Sequence, residues 1–364
     1  MGVAFAAAVA FSLVACGTPA SPSVSPQPSS DAATDCVSVA TAAVDAARKE
    51  APPYFPTDSK MSSNAGKSVW FIANSSFEIV QKTAGAFEDA AKAAGMTAKT
   101  YFSNGSVADE TAGIQQAINQ KADGIVVMGD PAQLSNAIKE AADANVSLAW
   151  FSQDVSVPLP AAVKGSIPAD WKADGKLIAD WILADSGCDA KVGIIRAATI
   201  TSSANEAKGV MDRIAELCPK CVVQTADIAF ATLSADIPNG VRTIMTKEPD
   251  TKYMVSGYDS LVPLVSAALS QAGSTGVKVI GHDGSPENLN MVRDGRQAID
   301  IALPPVAYLG QYILDNLGTV MAGGTPRTDP LPSMLIDSEN VGASNDDLFG
   351  SYSDSLAKFE KAWR

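Results

Sequence analysis

The chain has 364 residues, of which 46% are hydrophobic and 18% are charged, so it can form a sizeable core and is long enough for two lobes. Its formal net charge is −13, which repels phosphate backbones and argues against nucleic acid as a partner. No segment after the N-terminal apolar run is long and apolar enough to cross a bilayer.

Residues 1–15 have the pattern of a signal peptide. Residues 3–15 form an apolar run that is short for a membrane span, and residues 13–17 read L-V-A-C-G. This ending matches a bacterial lipobox, in which the cysteine thiol carries a diacylglycerol, while an ordinary signal peptide with a chance cysteine is the alternative. No Lys or Arg precedes the run, which leaves the true start codon open. We expect the mature protein to begin at Cys16 and to be lipid-anchored to the cell membrane, outside the cytoplasm.

Residues 16–66 are predicted to be a tether and a short helix. Pro, Ser, Thr and Ala dominate residues 18–34, a composition typical of a flexible tether. Cys36 to Arg48 then predict an Ala-rich helix, which ends before Pro52 and Pro53. We expect this helix to pack against the body of the protein.

The cysteines fit an oxidising compartment, because an even number remains once Cys16 is removed. Those remaining are Cys36, Cys188, Cys218 and Cys221. The run Cys218-Pro-Lys-Cys221 would need further ligands to bind a metal, and the chain's one histidine, His282, is distant in sequence. We therefore favour a Cys218–Cys221 disulfide, with Cys188 paired to either of them as the alternative, and expect no metal or cofactor.

Strands and helices are predicted to alternate from residue 67 to residue 166. Strands are expected at 69–73, 96–102, 124–128 and 146–151, and helices at 77–94, 109–120 and 131–145. This alternation with short connections predicts a doubly wound α/β lobe. A polar stretch that contains Pro158, Pro160 and Pro168 separates this lobe from the second half of the chain.

A second α/β lobe is predicted over residues 167–303. Helices are expected at 169–186, 205–217, 237–246 and 261–271, and strands at 191–195, 222–228, 253–256 and from 277. Later elements are a strand at 297–303, a helix at 305–321, a strand at 331–336 and a last helix within a tail at 346–364. We assign 304–328 to the first lobe and 329–345 to the second, so that several hinge crossings join two lobes around a cleft, where ligand pockets are common.

The stretch Val277 to Pro286 places an acid at the end of a buried strand. Gly281 and Gly284 permit a tight turn, and Ser285-Pro286 is typical of a helix start. Asp283 therefore lies at the carboxyl end of a strand, which is the edge where open α/β sheets bind ligands. The alternative is that Asp283 only caps the next helix or holds its own turn.

These features together resemble the ribose and galactose type of periplasmic binding protein, the substrate-capturing component of sugar ABC importers, in its lipoprotein form. The usual G-F-D-G-T-P turn of that family appears here as G-H-D-G-S-P at 281–286, followed by A-L-P-P at 302–305, and its A-D-G-I segment appears at 122–125. The likeness covers about residues 68–341. It implies a type 1 fold, with two doubly wound parallel-sheet lobes joined by a multi-crossing hinge, and a monomer that delivers its ligand to a membrane ABC permease.

In the resembling family, loops at the strand ends of both lobes bind the sugar. The positions that match these loops are Ser76, Phe77, Ser152, Gln153, Asn205, Glu206, Tyr258 and Asp283. Two of them have structural alternatives. An aromatic residue such as Phe77 at a helix start often packs against its own lobe, and an acid such as Glu206 near a helix N-terminus is favourable by itself.

Departures from the family pattern argue against ribose itself. Glu206 stands where ribose binders place an arginine, Tyr258 lies in a turn that usually reads Asn-Asp, and Leu303 replaces a frequent glutamine. The remaining acceptors and aromatic surfaces suit a polyol, a nucleoside-like ligand or a cation held over rings, among which the sequence does not choose. The aromatic residues concerned are Phe77, Phe151, Trp171 and Tyr258.

The sequence favours a binding protein over an enzyme. Glu206 and Asp283 are carboxylates of the kind that flank a glycosidic bond in hydrolases. However, no G-x-S-x-G, P-loop, H-E-x-x-H or G-x-G-x-x-G motif occurs, and a single histidine leaves little room for a Ser-His-Asp arrangement. A surface receptor that signals ligand to a membrane partner is a further alternative.

Overall fold

The computed structural model describes residues 1–2, 30–57 and 59–364. Cys16, most of the predicted signal peptide and the first part of the tether lie outside these described residues. Within the described ranges, no helix combines the length and apolarity that a membrane span needs.

Two mainly parallel sheets form the frame of the molecule. The first has the order β2-β1-β3-β4-β5 and the second the order β11-β10-β9-β8-β6-β7, in which only β11 is antiparallel to its neighbour. The strands of the first sheet are β1 (Ser68–Ala73), β2 (Thr97–Phe102), β3 (Gly124–Val127), β4 (Ser147–Asp154) and β5 (Val163–Ala169). Those of the second are β6 (Lys191–Arg196), β7 (Val222–Asp227), β8 (Tyr253–Val255), β9 (Lys278–Asp283), β10 (Ile299–Ala302) and β11 (Met334–Ile336).

Helices cover both faces of each sheet, as expected for a doubly wound fold. They are α1 (Ser30–Ala47), α2 (Glu78–Ala93), α3 (Val107–Asn119), α4 (Ser135–Asp143), α5 (Trp171–Ser186), α6 (Thr201–Leu217), α7 (Leu233–Lys247), α8 (Val262–Gln271), α9 (Pro286–Arg293), α10 (Val306–Met321), α11 (Asn345–Leu348) and α12 (Ser355–Trp363). In the first lobe Phe71 and Phe87 lie in the core beneath α2 and α10, while Trp150 and Ile114 lie in the core on the opposite face.

Strand β5 differs from the sequence prediction, which treated this stretch as a polar connection. Pro168 is tolerated within this strand because β5 is an edge strand, so this residue removes no hydrogen bond from the interior of the sheet, while Pro158 and Pro160 precede the strand. The carbonyl of Pro168 instead accepts a bond of 2.8 Å from the amide of Leu331, on a connection that returns from α10 to the second lobe.

The two terminal segments each pack on one lobe and connect to the other. Helix α1 packs on α5 of the second lobe, where Val44 enters the core, and the following chain crosses to the first lobe. Helix α12 packs on α10 of the first lobe, where Trp363 Nε1 donates to Asp315 Oδ1 at 3.0 Å. Together with the connections after β5, β10 and α10, five segments link the lobes in the described part of the chain.

Both disulfides in the described part of the chain lie on the second lobe. Cys218 is bonded to Cys221, the pair favoured by their short spacing. Cys188 is bonded to Cys36 rather than to either of these residues, which fixes α1 to the end of α5. The alternative pairing of Cys188 is therefore not the one that the structure contains.

Candidate functional site

A cavity of about 520 Å³ lies between the two lobes. Its walls are the loops that follow β1, β2, β3 and β4 of the first sheet and β6, β7, β8 and β9 of the second. Each loop leaves the carboxyl end of a parallel strand, so the two sheets present their ligand-binding edges to the same space. The volume lies in the range of small-molecule sites.

The lobes touch on either side of this cavity. The rings of Phe77 and Phe230 meet edge to face with centroids 5.6 Å apart. Asn205 Nδ2 donates to Ser156 Oγ at 3.2 Å, and Lys82 Nζ lies 3.2 Å from Glu287 Oε1. The structure therefore has the lobes closed over the cavity.

The wall from the first lobe includes an irregular end of β4. Ser152 has a left-handed backbone (φ 62°), and the register with β5 shifts between Phe151 and Asp154. Such an irregularity re-aims side chains at a strand end. Gln153 Nε2 donates to Ser166 Oγ at 2.5 Å, which leaves its buried Oε1 without a partner.

The wall from the second lobe combines three aromatic rings with the hydroxyl residues Thr199, Thr201 and Ser202. Tyr258 lies edge to face with Trp171, with centroids 6.3 Å apart, and with Phe230 at 5.8 Å. The hydroxyls of Tyr258 and Ser202 are hydrogen-bonded at 2.8 Å, which fixes the tyrosine ring at the wall. Flat apolar faces of this kind pack against sugar or base rings and attract cations.

Asp283 ends β9 in a backbone conformation rare for a non-glycine residue (φ 131°). Two buried acids hold the turn after it: Asp259 Oδ2 accepts from the amide of Ser285 at 2.7 Å, and Asp300 Oδ1 accepts from that of Gly284 at 3.0 Å. Gly284 is required here, because its φ is 77° and an added Cβ would lie 2.6 Å from the Cβ of Ala302. Strain of this kind persists where surrounding contacts impose it, often at functional sites.

Burial, with the neighbouring acids Asp300 and Glu206, raises the pKa of Asp283 to about 7, although the charge of His282 opposes this shift. Asp283 is therefore an acid that gains or loses its charge near neutral pH.

His282 lies behind the wall and is fully buried. Its Nδ1 is hydrogen-bonded to Glu206 Oε2, its Nε2 lies 3.5 Å from Asp174 Oδ2, and its ring centroid is 4.6 Å from that of Trp171. Burial by itself lowers the pKa of His282, but the adjacent Glu206 and Asp174 outweigh it and raise this pKa to about 10. Burial also raises the pKa of Glu206 and of Asp174, so protons are shared within this buried cluster, in which the histidine favours its protonated form.

The structure brings most, but not all, of the predicted ligand residues to the cavity. Those that line it are Phe77, Ser152, Gln153, Tyr258 and Asp283, together with Phe151 and Trp171. Ser76, Asn205 and Glu206 do not line it. Ser76 is exposed, Asn205 is bonded to Ser156 across the cleft, and Glu206 faces His282 beneath the wall.

Several residues at or behind the wall were not singled out from the sequence. Glu110 and Phe230 line the cavity, and Asp300 supports the turn at Asp283. Asp300 could have been recognised from the sequence, because it is the acid in the otherwise apolar strand β10 and a buried charge needs partners. Phe230 follows β7 in a loop with no motif, and Glu110 resembles any acid in a first helical turn.

Comparison with known proteins identifies the family. Residues 61–325 match the family model described as "Periplasmic binding protein domain". A relative is the ribose import binding protein RbsB of Escherichia coli K12, 28% identical over 181 residues, which are 48% of this chain and 58% of the relative. The chain thus spans a little over half the length of the curated relatives it matches.

Solved structures share the fold. An Agrobacterium vitis ABC transporter solute-binding protein with bound allitol is 24% identical, with a TM-score of 0.66 over 76% of this chain and 97% of that one. The Caulobacter myo-inositol-binding protein is 23% identical, with a TM-score of 0.67 over 76% and 95%. A Mycobacterium smegmatis protein in complex with β-D-fucofuranose is 16% identical, with a TM-score of 0.68 over 81% and 98%.

These likenesses confirm the predicted fold, in which two α/β lobes carry mainly parallel sheets. Because the family match covers well over half of the residues, the chain belongs to the periplasmic binding protein domain family.

Proposed function

We propose that this protein is an extracytoplasmic solute-binding lipoprotein, which captures a small polar ligand such as a sugar, a polyol or a nucleoside-like molecule for an ABC importer. The observation that carries the proposal is the cavity between the lobes, walled by the carboxyl ends of both sheets. The family match and the sugar and polyol ligands named for structures of the same fold support it.

Binding is proposed to work by closure of the lobes. Ligand that contacts Ser152 and Gln153 on one side and Tyr258 and Asp283 on the other favours the closed form by its differential affinity for that form. The contact of Phe77 with Phe230 joins the two lobes across the closed cleft. A membrane permease would recognise the surface that the closed lobes share.

A binding role also fits the state of the one histidine better than catalysis does. His282 is fully buried and engaged by Glu206, so its nitrogen atoms do not reach the cavity as a general base would. The ligand should therefore be returned chemically unchanged.

The first test is a thermal-shift panel of pentoses, hexoses, polyols, nucleosides and amines with protein that starts after Cys16, followed by calorimetry of the hits. A stabilising ligand recovered unchanged supports the proposal. A ligand that is consumed contradicts it in favour of an enzyme, and no stabilisation by any compound also contradicts it.

The role of Asp283 is tested in the same assay. Charge-assisted hydrogen bonds contribute about 1.5 to 3 kcal/mol each, so Asp283→Ala should weaken binding at least about tenfold. Asp89→Ala, on the exposed face of α2, is the matched control and should bind as the wild type does. Unchanged affinity of the Asp283 variant would remove this residue from the site.

The lipid anchor at Cys16 is a separate part of the proposal. Cells that express the full chain and are fed a labelled fatty acid should incorporate label, and Cys16→Ala should abolish this. Equal labelling of both proteins would contradict lipidation at this cysteine.

A further inference from the structure

We infer that the ligand carries a positive charge, as an ammonium or a quaternary amine on a small hydroxylated or cyclic body. This inference rests on the proposed binding function and narrows its ligand class. Its basis is the charges at the cavity wall, the polar atoms left without partners there, and the arrangement of the rings.

The charges at the wall are of one sign. Among the described residues that line the cavity, the ionisable acids are Glu110, Asp130, Asp154 and Asp283. The same set of lining residues includes no lysine, arginine or histidine. Neutral donors such as Asn104, Thr199 and Ser202 also line the cavity and can serve the hydroxyls of the ligand body, whereas a charged group on the ligand would meet only acids.

These acids are not neutralised by the protein. None of the ion pairs between described side chains involves any of the four. His282 exerts some attraction on Asp283, but its charge is shared with Glu206 and Asp174, which it contacts directly. The wall thus keeps an excess of negative charge.

Among the described residues at the wall, two buried acceptors and one buried donor, Trp171 Nε1, have no hydrogen-bond partner. Asp154 is 4% exposed and its Oδ1 accepts from Ser156, while its Oδ2 accepts from no group. Gln153 is 7% exposed and its Oε1 is likewise unpartnered, because its Nε2 is occupied by Ser166. An unpaired buried acceptor has lost the hydrogen bonds that water gave it, so a ligand that donates hydrogen bonds to these two atoms stabilises the site.

Aromatic rings complete the environment of a cation. Phe77, Phe230, Tyr258 and Trp171 follow one another along the wall with centroids 5.6, 5.8 and 6.3 Å apart. An ammonium group within about 6 Å of such ring faces is attracted to them, most strongly when it is desolvated. Rings from both lobes take part, so a cation between them would also favour closure.

A positively charged ligand also makes binding depend on pH in a defined direction. Burial raises the pKa of both Asp283 and Glu110 to about 7, so these acids are partly protonated at neutral pH. The groups that act on Asp283 are His282, Glu206 and Asp300, with Asp259 in the supporting turn and Tyr258 beside it. A cation favours the ionised acids, so its binding should release protons and strengthen as pH rises through about 7.

The test uses matched pairs of compounds that differ in charge and little in shape: choline against its uncharged tert-butyl analogue, and an aminocyclitol against myo-inositol. Calorimetry with protein that starts after Cys16 should show the charged member of at least one pair binding at least about tenfold tighter. Choline keeps its charge at every pH. An increase in its affinity from about pH 6 to about pH 8 would therefore come from ionisation of the acids at the wall and not from a change in the ligand.

Asp283→Asn is the informative variant because it keeps the shape of the side chain and removes its charge. It should lose at least about tenfold in affinity for the charged compound, while the affinity for the neutral partner changes by less than about twofold. Asp89→Asn, an exposed acid of α2, is the matched control and should keep the preference for charge.

The two proposals fail in different ways. If a neutral sugar or polyol binds as tightly as its charged partner and is recovered unchanged, the cation inference is wrong and the binding function stands. If no compound of either kind binds or stabilises the protein, both are overturned.

Discussion

The two lobes share one folding pattern but position their halves of the cavity by different means. In the first lobe, residues at the cavity rest on a core of Phe71, Phe87 and Phe151, whose rings pack against one another. In the second lobe the wall rests on buried charge, with His282 between Glu206 and Asp174. The support beneath one half of the site is thus a cluster of packed rings, and the support beneath the other is a cluster of charged groups. Substitutions and changes of pH should therefore affect the two supports differently.

The largest effect is expected from breaking the buried ion pair of the second lobe. Glu206→Ala would leave an imidazolium with only the more distant Asp174, and loss of one partner of a buried pair costs about 3–5 kcal/mol. Urea denaturation should show this decrease in the free energy of unfolding. Asp143→Ala, which removes an exposed ion pair with Lys139 in the first lobe, should cost less than about 1 kcal/mol. A cost as small for Glu206→Ala would contradict the comparison.

The next effect is expected from the disulfides, which are found only on the second lobe in the described part of the chain. The Cys36–Cys188 bond spans 152 residues and the Cys218–Cys221 bond only 3, so chain entropy predicts a greater stabilisation by the first. The double variant Cys36→Ala with Cys188→Ala should lose about 2–4 kcal/mol, and that of the second pair about a third as much. Equal losses in chemical denaturation would show that α1 is held by packing and not by its covalent link.

A smaller loss of stability is expected in both lobes, because each contains a close contact at which a helix glycine packs against the backbone of another helix. An added Cβ at Gly175 would lie 2.1 Å from the carbonyl oxygen of Glu206, and one at Gly310 would lie 2.3 Å from the backbone of Ala86. Either substitution to Ala should cost about 1–3 kcal/mol in thermal or urea unfolding.

Gly85→Ala in α2 is the control for these two, since an added Cβ there meets no atom within 4 Å. It should stabilise the protein by about 0.5–1 kcal/mol. A loss of stability in this control would mean that the substitutions report helix backbone effects and not the close approach of helices.

A pH-dependent effect concerns Glu110, a buried acid of the first lobe. Burial raises its pKa to about 7, from an ordinary value of 4.5, and Asp130 and Asp109 add to the shift. The folded protein therefore binds the proton of Glu110 more tightly than the unfolded chain does. This adds to the free energy of unfolding below the ordinary pKa, and the contribution is lost as pH rises through about 7. Glu110→Gln should gain stability relative to wild type as pH rises from about 4.5 to about 7 and should keep that gain above pH 7, by at most about 3 kcal/mol, since one unit of pKa shift corresponds to about 1.4 kcal/mol. If the difference in melting temperature between Glu110→Gln and wild type does not change with pH across this range, Glu110 is not desolvated.

The fold was largely predictable because strand and helix periods alternate clearly along the chain. The acid at the end of a strand could be placed for the same reason, since the apolar run before Asp283 and the glycine turn after it define a sheet edge. Strand β5 was missed because prolines on an edge strand look like those of a loop.

The remaining errors involve contacts that no local pattern specifies. Asn205 and Glu206 are adjacent on α6, but the helix turns one toward Ser156 and the other toward His282. The partner of Cys188 depends on where α1 lies, which spacing along the chain does not reveal. Phe230 begins a short 3-10 helix after β7, and its contact with Phe77 of the other lobe has no counterpart in the local sequence pattern.

The exchange of terminal segments between the lobes limits how the molecule can be divided. Helix α1 enters the fold on the second lobe before the first lobe begins, and α12 returns to the first lobe after the second sheet is complete. No single cut of the chain therefore yields two halves that each keep all their own packing. A chimaera that exchanges one lobe with that of another family member would have to replace three separate stretches of sequence, so recombination at one or two points should give misassembled proteins.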